Sequence, residues 1–284
     1  VSTNSAKTFL LLGLLTALIL WIGNLVGGRG GLVVALVLAV GMNGYSYWYS
    51  DRMVLYATGA EEVLPEHAPE LYKMVSALAR RAGLPIPRVY VIPEEAPNAF
   101  ATGRDPEHAA VAFTEGILHT LDREELEGVA AHELAHIKNR DILISTIAAT
   151  LSGAVMYIAQ ISQFTAFFGG WGRSGDDDRN GGILGLLLAA IVAPLAAMML
   201  QMAVSRSREY LADAEGARIA GGPVGLANAL GRLEEAAERE ELVCASETTA
   251  HMYIVNPLSG DGLAGLFSTH PPMEERIRRL LEDY

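Results

Sequence analysis

"VAAHELAHIKNRD", residues 129–141, sets His132 and His136 four apart, with Glu133 directly after the first histidine. Residues four apart lie one turn apart on one helical face, so the two imidazoles can hold a single metal ion. Neutral imidazole suits zinc, at bond lengths of about 2.0–2.1 Å. Glu133 is rotated off that face by one residue and can act as a general base on a water beside the ion. A catalytic zinc takes three protein ligands and keeps one position open, so a third ligand must come from elsewhere. Directly after the motif, "ILISTIAATLSGAVMYIAQISQFTAFFGGWG" follows without one Asp, Glu, Lys, Arg or His.

That run is one of four. Residues 8–28, 30–50, 142–172 and 180–205 all lack charge and histidine. Each reaches the roughly 20 residues that a helix needs to cross about 30 Å of hydrocarbon. The chain as a whole is 51% hydrophobic, with a mean hydropathy of +0.26. The first run is too long for a signal-peptide core and is followed at once by a second, so it reads as a retained span. Four spans put both ends on one side. The short loops opposite, 26–31 and 169–182, hold Arg29, Arg173 and Arg179; the other eighteen Lys and Arg lie with the ends, which favours a cytoplasmic bulk. Tyr45, Tyr47, Trp48 and Tyr49 fit an aromatic belt at that face. A net charge of −12 argues against nucleic-acid binding. The single cysteine, Cys244, excludes an internal disulfide and reads as a buried apolar residue.

The organisation expected is two transmembrane helices in 1–50 and a cytoplasmic α+β segment in 51–141. Two more spans follow in 142–204, with a Gly/Asp-rich loop at 169–182, and then a helical cytoplasmic segment in 205–284. Helical spacing of Leu71, Met74, Val75, Leu78 and Ala79 predicts a helix over 67–84, stopped by Gly83 and Pro85. "RVYVIP", 88–93, "NAFATG", 98–103, and "AAVAF", 109–113, read as strands. Asp122 and Glu125 form a capping box, from which a helix should run through the histidines. Further helices are expected at 206–220, 223–241 and 273–282. His136 lies six residues before the third run, and Glu209 four after the fourth. If both ligand helices continue from spans, the ion sits within about 6–9 Å of the hydrocarbon edge. The favoured substrate is then a membrane protein whose unfolded loop or tail emerges nearby.

The third ligand is sought in "SRSREYLADAEGARIA", 205–220, where Glu209 and Asp213 share a helical face. Glu209 can complete a two-histidine, one-glutamate site. Asp213 can accept the second ring N–H of a ligand histidine and fix its tautomer. The competing reading is a solvated acidic helix paired with Arg206 and Arg208. Asp141 is a further acceptor candidate, although capping or pairing with Arg140 explains it equally well.

"HELAHIKNRD" followed, after two spans, by "SRSREYLADAEGA" closely resembles the HtpX-type membrane metalloproteases, relatives of the CAAX-prenyl proteases. "PNAFATG", 97–103, and "STHPPMEERIRRL", 268–280, look like further signatures, and the resemblance covers nearly the whole chain. It implies a multi-span α-helical membrane protein with a zincin-like domain, acting as a zinc endopeptidase on the cytoplasmic face of a bacterial inner membrane. The role implied is quality control of membrane proteins. It also implies His132, His136 and Glu209 as ligands of one zinc per chain, and Glu133 as base. Asn98 and Ala99 resemble the edge strand that pairs with substrate backbone, where a plain turn is the alternative. His270 is an oxyanion candidate or a helix-entry residue. A protease tethered at the depth of its substrates is also expected to cut itself. A scaffold with structural zinc is disfavoured by Glu133, since a structural site needs no base. A prenyl-protein protease would need a larger intramembrane chamber than four spans enclose.

Overall fold

The computed structural model describes residues 3–147, 206–239 and 271–282. Helix α1 spans Thr3–Ala57, but Gly28 breaks it with φ 55 and ψ −136, a conformation suited to glycine. The chain folds back there, because Asn43 Nδ2 donates to Thr16 Oγ1 at 2.8 Å. A straight helix would hold those residues about 40 Å apart. The first two uncharged runs are therefore the arms of one helical hairpin. On the second arm Ala35 and Ala39, on the stripe of Asn43, are buried, while Val33, Val37 and Val40 are exposed. Small residues on an inner stripe let two helices approach closely, and apolar ones outside face lipid. Gly28–Tyr45 is long and apolar enough to cross a membrane.

Beyond α1 come β1 (Glu61–Glu62), α2 (Pro69–Ala82), β2 (Arg88–Ile92) and β3 (Ala99–Thr102). A 3₁₀ turn (Pro106–His108), β4 (Ala110–Thr114), α3 (Glu115–Thr120) and α4 (Arg123–Lys138) follow. The last described helices are α5 (Arg206–Ala220), α6 (Val224–Arg239) and α7 (Met273–Glu282). The sheet order is β1-β2-β4-β3; β2 and β4 are parallel, the outer pairs antiparallel. Among the described residues β3 is thus the strand at the sheet's edge. One apolar cluster, with Leu78, Phe113, Leu134, Ala212 and Leu230 at its centre, joins α2, the sheet, α4, α5 and α6.

The segment is fastened to the hairpin by polar contacts. Arg88 bonds Asp51 at 2.9 Å, and Arg104 lies 4.9 Å over the Trp48 ring. Thr102, at the end of β3, shares a buried 3.0 Å hydrogen bond with Thr146. Thr146 belongs to residues 142–147, which are helical.

One expectation is corrected. The histidine helix does not continue into the third uncharged run. α4 ends at Lys138, and Arg140 takes a left-handed φ of 58. Arg140 N–H donates to Ile137 O at 3.1 Å, and Asp141 N–H to His136 O at 3.0 Å. This pair of bonds is the Schellman termination, which satisfies the last carbonyls and turns the chain before a new helix starts at 142. A left-handed non-glycine residue costs about 1–2 kcal/mol, and what it gains is the position of Asp141 beside His136, described below. The remainder of the third run, the whole of the fourth, the 169–182 loop, Cys244 and His270 lie outside the described residues.

Candidate metal centre

α4 is held on every side. At its start Glu125 N–H donates to Asp122 Oδ1 at 3.0 Å, and Asp122 N–H to Glu125 Oε2 at 2.9 Å, so the capping box forms. Arg232 of α6 adds an ion pair to Glu125 at 2.9 Å. α5 crosses α4 at Gly216, where a Cβ would stand 2.9 Å from His132 Cα. Only glycine lets the two backbones approach that closely, and the approach brings Glu209, two turns earlier on α5, up to the histidine pair.

Three ligand-type atoms converge there. His132 Nε2 and His136 Nε2 are 3.1 Å apart. Glu209 Oε2 lies 3.8 Å from the former, and Oε1 3.7 Å from the latter. Tetrahedral zinc with bonds near 2.0–2.1 Å separates its ligand atoms by about 3.3 Å, so His132, His136 and Glu209 form a cluster able to hold a metal ion. The donor set fits as chemistry too: two imidazoles and a carboxylate, with His132 and Glu209 buried and His136 half-buried. Both outer ring nitrogens lie beside carboxylates: His132 Nδ1 is 2.9 Å from Asp213 Oδ1, though not aligned as a hydrogen bond, and His136 Nδ1 is 3.3 Å from Asp141 Oδ2. Such partners fix the tautomer that presents Nε2 inward. The solvated-helix reading of 205–220 fails, because Glu209, Asp213 and Arg208 are all buried. Asp213 is paired instead with Arg276 of α7, at 2.7 Å.

Glu133 is buried, and burial lifts its carboxyl to about 7, with Glu209 adding to the rise while His136 and the Ala101 backbone N–H hold it down. The Ala101 contact also places the carboxylate against the edge strand β3. Just before that strand, Asn98 Oδ1 accepts from Ala99 N–H at 2.8 Å, and Asn98 N–H donates to Thr114 Oγ1 at 2.8 Å. Asn98 and Ala99 are both buried. Ala101 and Arg276 are the site residues that sequence reasoning missed.

Burial pushes His136 down, but Asp141, Glu209 and Glu133 outweigh it and raise the ring to about 9; burial pushes His132 down. At neutral pH the metal-free pair therefore carries a proton on His136, and a bound cation must expel it. Zinc affinity is expected to climb about tenfold per pH unit toward pH 9 and then to level off. Calorimetry in buffers of different ionisation enthalpy checks this by counting the proton released. A flat affinity between pH 6 and 8 would contradict the charge assignment.

A helix presenting two histidines and a glutamate beside an antiparallel edge strand, with a carboxylate from a second helix, defines a metallopeptidase of the zincin kind. The chain belongs to peptidase family M48, which matches residues 65–283. It is 58% identical over 277 residues to a protease HtpX homolog of Desulfatibacillum aliphaticivorans, covering 98% of this chain and 89% of that one. It is 53% identical over 275 residues to another of Pyrococcus furiosus, covering 96% and 94%. The crystal structure of S. mikatae Ste24p shares the fold at a TM-score of 0.52 and 19% identity. There the match takes in 98% of this chain but spans only 65% of the Ste24p chain.

Proposed function

We propose that the protein is a zinc endopeptidase of a bacterial inner membrane. It is anchored by several spans, with its catalytic segment on the cytoplasmic side, and hydrolyses misfolded or damaged membrane proteins. The observation that carries the reading is the convergence of His132, His136 and Glu209, with the buried Glu133 beside them. A bound zinc supplies Lewis acidity, polarising the scissile carbonyl and lowering the pKa of water toward about 7. The chain's own residues do the rest. Glu133 takes a proton from the attacking water and delivers it to the leaving amine. Asp213 and Asp141 keep the two imidazoles turned inward. Strand β3 accepts an extended substrate backbone by main-chain hydrogen bonds, which suits many sequences and excludes folded ones. Membrane-protein substrates are supported by the chain leaving the hairpin at Asp51, which Arg88 ties to the sheet, and by the mere five residues between His136 and the third run.

The test is a substrate with one span and a disordered cytoplasmic tail, reconstituted with the protein in zinc-loaded liposomes. Mass spectrometry should find cuts concentrated near the membrane, and the pattern should survive shortening of the distal tail. Cuts spread evenly along a long tail, unchanged in detergent, would mean that the spans do not set the height of the site.

A further inference from the structure

Helix α7 packs against α5 and α6, and one of its side chains reaches the metal cluster. Arg276 is fully buried, at 0% exposure. Its Nε donates to Asp213 Oδ2 at 2.9 Å and its Nη2 to Asp213 Oδ1 at 2.7 Å, a two-pronged pair. Nη2 also stands 3.9 Å from Glu209 Oε2. Nη1 is steadied by Met273 Sδ at 3.8 Å. Asp213 Oδ1 is the same oxygen that approaches His132 Nδ1.

We propose that Arg276 is a positioning residue of the metal centre, locking the Asp213 carboxylate in the one orientation that serves His132. The proposal rests on the zinc reading above. Three physical arguments support it. First, Asp213 on its own can rotate, and a rotated carboxylate would leave the His132 ring without a fixed tautomer. Two parallel N–H···O bonds remove that freedom, and a guanidinium makes them where an ammonium cannot. Second, Glu133, Glu209, Asp213 and Asp141 are all buried within one small region. Buried carboxylates need nearby compensating charge. The other buried cation, Arg208, lies near Asp141 and Glu209 but has no hydrogen bond at Nε or Nη1 among the described residues, whereas Arg276 bonds Asp213 directly. Third, Met273 and Leu280 of the same helix are buried in the main core, so the guanidinium is delivered by a helix that cannot shift freely.

The experiment uses the full chain in detergent, with folding followed by far-UV circular dichroism. Zinc affinity is read by chelator competition, and site geometry by the visible absorption of the cobalt-substituted protein. Arg276→Met should weaken zinc binding about 10–100-fold and alter the cobalt bands. Arg276→Lys, which keeps the charge but not the fork, should fall between Met and wild type. Asp213→Asn should match Arg276→Met, and the double variant should be hardly worse than either single one, as for residues acting through one contact. Additive losses, or wild-type affinity and cobalt bands in Arg276→Met and Arg276→Lys, would overturn the proposal. So would an Arg276→Lys protein that fails to fold while Asp213→Asn folds and binds zinc normally, since Arg276 would then support the fold alone. If the wild-type chain binds no zinc, it is the zinc reading that fails instead.

Discussion

Glu133→Gln lowers peptide hydrolysis by about 10²–10⁴-fold, the range that a positioned base contributes, and leaves metal content unchanged. Glutamine has the shape of glutamate, so it still fills the buried site and can accept from the Ala101 N–H. What it lacks is a site for the proton of the attacking water. Glu133 makes no contact within the His132, His136 and Glu209 cluster that would count it as a ligand, so metal retention separates the base role from the ligand role. Casein cleavage with zinc measured by mass spectrometry reads both at once. Activity within tenfold of wild type would remove Glu133 from the mechanism. The same variant is the control for self-cutting during purification, which should disappear with the base.

Glu209→Ala removes the third ligand, and zinc affinity should drop by more than the 10–100-fold expected of an outer carboxylate, with activity lost in step. Asp213 is the neighbour most able to substitute, being on the same helical face. It is not free to do so, because Arg276 holds both of its oxygens and His132 Nδ1 faces one of them. Two histidines alone would then remain. Equilibrium dialysis against zinc decides the matter: full metal and activity in Glu209→Ala would make the three-ligand assignment wrong.

Much of the architecture was legible because its signals are local. The Asp122–Glu125 box and the apolar stripe of α2 ending at Gly83 each announce themselves within a dozen residues, and the observed elements start and stop close to where those signals fall. Strand β1 gave no such signal. It is two glutamates, and pairing with Tyr90 and Val91 makes them a strand. The termination after Lys138 was hidden as well, because Arg140 occupies a position where glycine would normally mark it. The edge-strand contact to Glu133 comes from a backbone N–H, and no side chain advertises it.

Arg276 was hidden differently. It sits in "MEERIRRLLE" among Glu275, Arg278 and Arg279, which pair with one another on the exposed face. Only the helical phase distinguishes it: Met273, Arg276, Ile277 and Leu280 recur at the three- and four-residue spacing of a buried stripe. A charged residue in the middle of such a stripe is a sign of a buried partner. That partner lay 63 residues away, beyond the reach of any local pattern.

That separation has a consequence for how the protein comes into being. A growing chain makes its parts in order, and early segments begin to fold while later ones are still unmade. His132, Glu133 and His136 emerge first, Glu209 and Asp213 next, and Arg276 last. A nascent molecule that already carries the base and all three metal-binding side chains still has Asp213 without its cation. On the positioning role proposed for Arg276, the hydrolytic centre thus matures at the end of synthesis, when α7 docks, and the unfinished protein is the form least equipped to cut.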